Sequence, residues 1–182
     1  MSLQMYMKID GVTGGCKVFK YKGWSEVLSW NWGMTSNRKS AQGITGEKTS
    51  LNELSIIKPV GIESTDIRLL FAQGVTIPEI EFSITPVVGK RETQTKYVHI
   101  NLEGVVIKSI VTGGGVDDNF FKEHITLLFD RINFEYTQNA GMADAASAAN
   151  DESKVDHQFS WDVPSNSVWK QQNNVENASL VE

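Results

Sequence analysis

Apolar and polar residues alternate with a period of two in run after run of this chain, and that pattern restricts the fold more than any other feature. Successive side chains of a strand point to opposite faces, so strict alternation describes strands with one buried side. Leu3, Met5, Met7 and Ile9 alternate with Gln4, Tyr6, Lys8 and Asp10. Leu28, Trp30 and Trp32 fall on one face of "WSEVLSWNWG", and Ser25, Ser29 and Asn31 on the other. Ile80, Phe82 and Ile84 oppose Glu81, Ser83 and Thr85, in a run bounded by proline on both sides. Val98, Ile100 and Leu102 oppose Tyr97, His99 and Asn101. Val155, Phe159, Trp161 and Val163 share a face that also takes His157. Clusters rich in Gly, Asn, Ser and Thr, such as "TSNRKSAQGITGEKTS" and "VTGGGVDDN", separate the runs. Short strands spaced in this way predict an all-β sandwich or barrel.

Two segments depart from simple alternation. In "STDIRLLFAQG", Ile67, Leu70 and Phe71 fall at helical spacing. Ser64 or Thr65 is placed to cap the first N–H groups, Asp66 lies in the first turn, and Gly74 can end the helix left-handed. The spacing predicts one short helix, packed over one side or open end of the β structure. In "HITLLFDRINFEYTQ", Ile125, Leu127 and Phe129 occupy one phase and Ile132, Phe134 and Tyr136 the other. A β-bulge near Asp130 and Arg131 accounts for the slip, and a strand buried on both faces is the alternative. Either reading requires curvature or a second packing layer.

At 182 residues and 40% hydrophobic residues the chain can bury one sizeable core. A formal net charge of -5, with 17 Lys and Arg scattered among 22 Asp and Glu, supplies no basic stripe for nucleic acid. No apolar run approaches membrane-spanning length, and "MSLQMYMKIDG" alternates where a leader would be continuously apolar. The chain therefore reads as made in the cytoplasm, without a cleavable signal peptide or membrane insertion. A lone cysteine, Cys16, excludes an internal disulfide. It also lacks a neighbouring His or helix N-terminus to lower its pKa, so it reads as inert. His99, His124 and His157 show no metal-ligand spacing. Asp117 and Asp118 point apart in an extended chain, which suits a turn better than a paired-carboxylate site. "TGGG" from Thr112 lacks the Lys and Ser/Thr of a phosphate loop. No catalytic, cofactor-binding or metal-binding residue is assigned, and the chain reads as not an enzyme.

Five ordered stretches carry a family resemblance: "MYMKIDGVTG", "GWSEVLSWNWGM", "LSIIKPVGIESTDIRLLFAQG", "KYVHINLEGVVIKSIVTGGG" and "ITLLFDRINFEYTQ". Together they resemble the Hcp family, the tube proteins of bacterial type VI secretion systems. The resemblance implies two sheets forming a closed or nearly closed β-barrel with one short flanking helix, over residues 1–163. It also implies a homo-hexameric ring that stacks head to tail into a tube. Such a tube is secreted, carries effectors in its lumen, and meets sheath and spike proteins. An extended loop over 35–50, with Arg38, Lys39, Glu47 and Lys48, resembles the family's stacking loop. A variable Ala- and Asn-rich segment at 138–153 and a polar, flexible tail at 164–182 depart from the pattern. Within such a ring, Ser25, Ser29 and Asn31 are expected to line the lumen with small uncharged groups. The competing reading is a monomeric carbohydrate-binding module, for which Trp24 and Trp169 are the candidate exposed stacking platforms.

Overall fold

The computed structural model describes residues 3–36, 49–86, 97–137 and 157–169. In chain order these form β1 (Leu3–Ile9), a 3-10 turn (Phe19–Tyr21), β2 (Ser25–Val27), β3 (Ser29–Asn31), β4 (Met34–Ser36) and β5 (Thr49–Leu51). Then follow β6 (Leu54–Pro59), α1 (Ser64–Gln73), β7 (Ile77–Pro86), β8 (Val98–Gly113), β9 (Lys122–Leu128), β10 (Arg131–Tyr136) and β11 (His157–Asp162). Among the described residues, strands and one α-helix are present, as expected.

Among the described residues the sheet does not close, which corrects the expectation of a barrel built from two sheets. Nine strands form one sheet along the path β2-β1-β7-β8-β9-β6-β3, with β10 and β11 branching from β8, while β4 and β5 pair only with each other. The path ends at β2 and β3, which do not pair. These are three-residue pieces of one stretch separated only by Leu28, so they lie end to end and reach different partners. The Leu28 amide donates to the Ile57 carbonyl at 2.8 Å.

Strand β8 spans both arms of the sheet because it is long enough to serve two neighbours in succession. Its first half pairs β7 and β10, and its second half pairs β9. The face change anticipated at Asp130 and Arg131 lies between β9 and β10, but no extra residue is inserted there. Val106 faces Leu128 and Glu103 faces Arg131, so two residues intervene on each side. Both strands change phase together: Leu102 and Val105 are buried on β8, and Leu127 and Ile132 on its partner. Gly104, at φ +63, supplies the left-handed residue opposite Asp130, whose Oδ2 would sit 2.4 Å from an added Cβ. The one-residue bulge lies instead on β8, between Ile107 and Ser109.

Folding the sheet at β8 brings its apolar faces together. Ile56, Ile80, Ile100, Leu102, Ile125, Leu127 and Ile132 are buried in one cluster. Each such side chain contributes about 1.5–3 kcal/mol through burial. Trp30 lies 6.4 Å from Phe134 and Trp32 6.1 Å from Phe159, so β3 faces β10, and the residue just beyond β3 faces β11, across the core. Strand β7 is covered on its second face as well. The 3-10 turn lays Tyr21 against Tyr6, with centroids 4.1 Å apart, and Tyr21 Oη meets Ser83 Oγ at 2.8 Å. This accounts for the burial of Ser83 and Thr85, which simple alternation would expose.

Helix α1 packs Ile67 and Leu70 on the core and leaves Phe71 exposed. Gly74 ends it at φ 64, ψ 31, its N–H donating to the Phe71 carbonyl. Neither Ser64 nor Thr65 is the cap. Ser64 Oγ accepts from the Gly61 N–H at 2.9 Å and donates to Glu123 at 2.8 Å. A buried ion network has taken the serine that the sequence offered for capping.

Candidate assembly surfaces

Strand alternation gives each arm of the sheet an outward polar face, and the two faces differ in charge. On the β3-β6-β9-β8 arm, register places Asn31 beside Ser55, Ser55 beside Thr126 and Thr126 beside Ser109. The Lys108 bulge keeps Ser109 outward while Ile107 is buried and Ile110 packs on the core. The result is a row of small, uncharged hydrogen-bonding groups crossing four strands. Asn31 and Ser29 are exposed, as expected of this face. Ser25 is not: it is buried beside Glu63, and Leu28 is 40% exposed. The phase slips at Leu28 because β2 and β3 address different neighbours, so Ser25 and Ser29 end on opposite sides. Ser55, Thr126 and Ser109 were not singled out in the sequence; their outward phase was visible, but their juxtaposition depends on register.

The β1-β7-β8-β10-β11 arm carries charges instead. Register aligns Lys8, Glu81, Asn101, Asn133 and Ser160 across five strands, the last two of them buried. Lys8 Nζ reaches Glu81 at 2.7 Å, Asn101 donates to Glu79 at 2.6 Å, and Gln158 donates to Asn133 at 2.7 Å. His99 lies 3.5 Å from Glu81 and 3.4 Å from Glu135. At the end of this arm Arg131 bonds Asp162 at 2.7 Å and lies 5.6 Å from the Trp169 ring. Hydrogen bonds from Arg131 and then from Ser165 hold the Asp162 carboxyl down at about 2. Residues just beyond β11 thus fold back on it.

A third surface is apolar. Val60, Ile62, Phe120 and Phe121 are exposed at one end of the molecule, where the Val60 amide donates to the Phe121 carbonyl at 2.9 Å. Beneath it lies the ion network. Lys58 and Glu123, direct register partners on β6 and β9, both occupy the buried phase. Lys58 Nζ contacts Glu63 at 2.8 Å, Glu123 at 3.2 Å and the Pro59 carbonyl at 2.7 Å. Arg68, on α1, meets the other oxygen of Glu123 at 2.5 Å and Thr112 at 2.8 Å. Burial opposes ionisation of Glu63, but bonding to Lys58 and to its own backbone N–H outweighs it and holds the carboxyl below the usual range. The network ties the loop carrying Val60 and Ile62 to α1 and β9. Sequence reasoning missed it, although Lys58 alternates in phase with Leu54 and Ile56, and Glu123 with Ile125 and Leu127.

Other candidate residues are placed as follows. Arg38, Lys39, Glu47 and Lys48 lie outside the described residues. Asp118 accepts from the Gly115 N–H at 2.7 Å, forming a turn. Burial raises the Cys16 thiol pKa. His124 and His157 are exposed. Among the described residues no cluster of three His, Cys, Asp or Glu is positioned to hold a metal, and no helix is long and apolar enough to cross a membrane. Of the tryptophans, half-buried Trp24 packs edge-on to Tyr21, half-buried Trp169 lies by Arg131, and the others pack on the core.

Two distinct polar faces, an apolar end and strand edges at β2, β3 and β11 are the kind of surfaces through which a β protein meets other chains. The particular family is plain from comparison. Residues 6–136 match the family described as "Type VI secretion system effector, Hcp". The chain belongs to the Hcp family of type VI secretion tube proteins, a structural and secreted family. It is 26% identical over 138 residues to protein hcp1 of Pseudomonas aeruginosa, covering 75% of this chain and 84% of that one. The fold is shared with Hcp1 of Salmonella typhimurium, with TM-score 0.71 and 20% identity over 93% of this chain and 100% of that one. It is also shared with a type VI secretion system effector of Yersinia pestis, with TM-score 0.64 and 21% identity over 87% and 99%.

Proposed function

We propose that six copies of this chain form a ring, that rings stack head to tail into the secretion tube, and that effectors travel in the lumen. The observation that carries this reading is the family match across 6–136. In this arrangement the uncharged row of Asn31, Ser55, Thr126 and Ser109, with Ser29, lines the lumen. Such a wall offers hydrogen bonds without a single-sign field that would repel cargo. The apolar end at Val60, Ile62, Phe120 and Phe121 is covered by a neighbouring copy, since exposed apolar clusters mark protein contacts. Residues 1–163 act as the ring-forming domain, and 164–182 follow as a tail. The loop holding Arg38, Lys39, Glu47 and Lys48 reaches the adjacent ring. Subunits are made in the bacterial cytoplasm, engage sheath and spike proteins, and leave with the tube. Negative-stain microscopy of the purified protein tests the reading: rings with a central hole support it, and isolated single-chain particles at every concentration refute it.

A further inference from the structure

The connection between β1 and β2 holds an aromatic side chain out in solvent. Phe19, the first residue of the 3-10 turn, is 100% exposed. Two positions on, Tyr21 is buried and fastens the turn to the sheet. It stacks on Tyr6 at 4.1 Å, sets its Oη 2.8 Å from Ser83 Oγ, and takes Trp24 edge-on at 5.2 Å. Val18 packs on the same cluster. The flanks are pinned as well, with the Cys16 N–H donating to the Trp24 carbonyl at 2.9 Å and the Gly23 N–H to the Cys16 carbonyl at 3.1 Å. Phe19 thus stands on a fixed base, and docking it costs little ordering of the chain.

The charge around Phe19 is opposite to that of the whole chain. Lys17, Lys20 and Lys22 are all exposed, and no Asp or Glu lies between Asp10 and Glu26. None of the ion pairs among the described residues takes Lys17 or Lys22. Removing these three lysines from the 17 Lys and Arg leaves 14 against 22 Asp and Glu over the rest of the sequence. A pre-positioned aromatic ring among cations fits a surface that offers an apolar patch rimmed by carboxylates. A second copy supplies that excess of acid, while two such turns facing each other would repel. We propose that the Phe19 turn is a docking prong for a second copy of this chain, seating the ring on an apolar patch and the lysines on the Asp and Glu around it. The contact is heterologous, the turn of one copy meeting a different surface of the next. It joins copies whether or not they close into a ring, and so stands apart from ring formation.

Carbodiimide cross-linking of light and isotope-labelled full-length protein, mixed in equal amounts, tests it. Mixed light and heavy cross-links should join Lys17, Lys20 or Lys22 of one copy to an Asp or Glu of another. Phe19→Ser keeps those lysines and alters a fully exposed side chain, so its melting temperature should hold. The yield of the mixed cross-links should nevertheless fall about tenfold, as expected for loss of an aromatic anchor. Sodium chloride at about 1 M should lower the yield too, because it shortens the screening length to about 3 Å. Native mass spectrometry of the same samples separates this contact from ring formation. Six-chain rings without the mixed cross-links overturn the prong and leave the ring, whereas the cross-links without rings support the prong and remove the ring. A yield that Phe19→Ser leaves unchanged overturns the inference. So does co-sedimentation with phosphatidylglycerol vesicles in place of any link between copies, which assigns the turn to a lipid surface.

Discussion

Replacing Lys58 by methionine isolates the energetics of the buried ion network. The substitution keeps the aliphatic stem and deletes the charge, leaving Glu63 without its cation while Glu123 retains Arg68. Lys58, Glu63 and Glu123 are exposed by only 0%, 3% and 1%, so solvent screens little of the loss. Breaking a buried pair from one side costs about 3–5 kcal/mol. Urea unfolding at neutral pH should show a loss of that size. The pH dependence carries a second signature. In the native protein the Glu63 carboxyl is held below its ordinary value, so its contribution is present above the unfolded pKa of about 4.3 and is lost as pH falls through the folded value. In Lys58→Met burial acts on Glu63 without that cation and raises its pKa, so the penalty is greatest at neutral pH and relaxes on acidification. The stability gap between the two proteins should narrow toward about pH 4. A loss below about 1 kcal/mol at neutral pH, or a gap that widens on acidification, would refute the reasoning.

Further consequences can be checked separately. Gly104→Ala places a Cβ 2.4 Å from Asp130 Oδ2 in a left-handed backbone, and should cost about 1–3 kcal/mol in thermal or urea unfolding. Carbon-detected NMR should titrate the Asp162 carboxyl near 2, and Arg131→Met should return it toward about 3.9; an unchanged midpoint would separate it from Arg131. Phe121→Asp changes an exposed side chain, so the melting temperature should hold while ring formation fails in gel filtration. Asn31→Arg should leave rings intact and reduce effector retention in pull-down; loss of folding would instead show that Asn31 does not face outward.

Much of this architecture is readable from one dimension because alternation is a local signal. Strands β1, β7, β8 and β11 lie where their patterns put them, and Gly74 closes α1 as its position implied. What escaped the sequence depends on partners distant along the chain. Ser83 is buried because Tyr21 lies over it, and no pattern within "IPEIEFSITP" records that turn. Ser25 shares its neighbours' polar character, but it turns inward because β2 pairs β1 while β3 pairs β6. The expectation of closure came from resemblance, whereas the strand path stays open where β2 and β3 lie end to end. Lys58 and Glu123 left a legible trace, since opposite charges in the apolar phase of two strands imply burial as a pair. The face row of Asn31, Ser55, Thr126 and Ser109 needed the registers of three strand pairs.

Native mass spectrometry over a dilution series, run on the wild type beside Phe121→Asp, bears most directly on the central claim that this subunit works by assembling. The account predicts a six-chain species for the wild type and a folded single chain for the variant. A wild type that remains a single chain throughout the series, or a variant that still assembles into six, would contradict it.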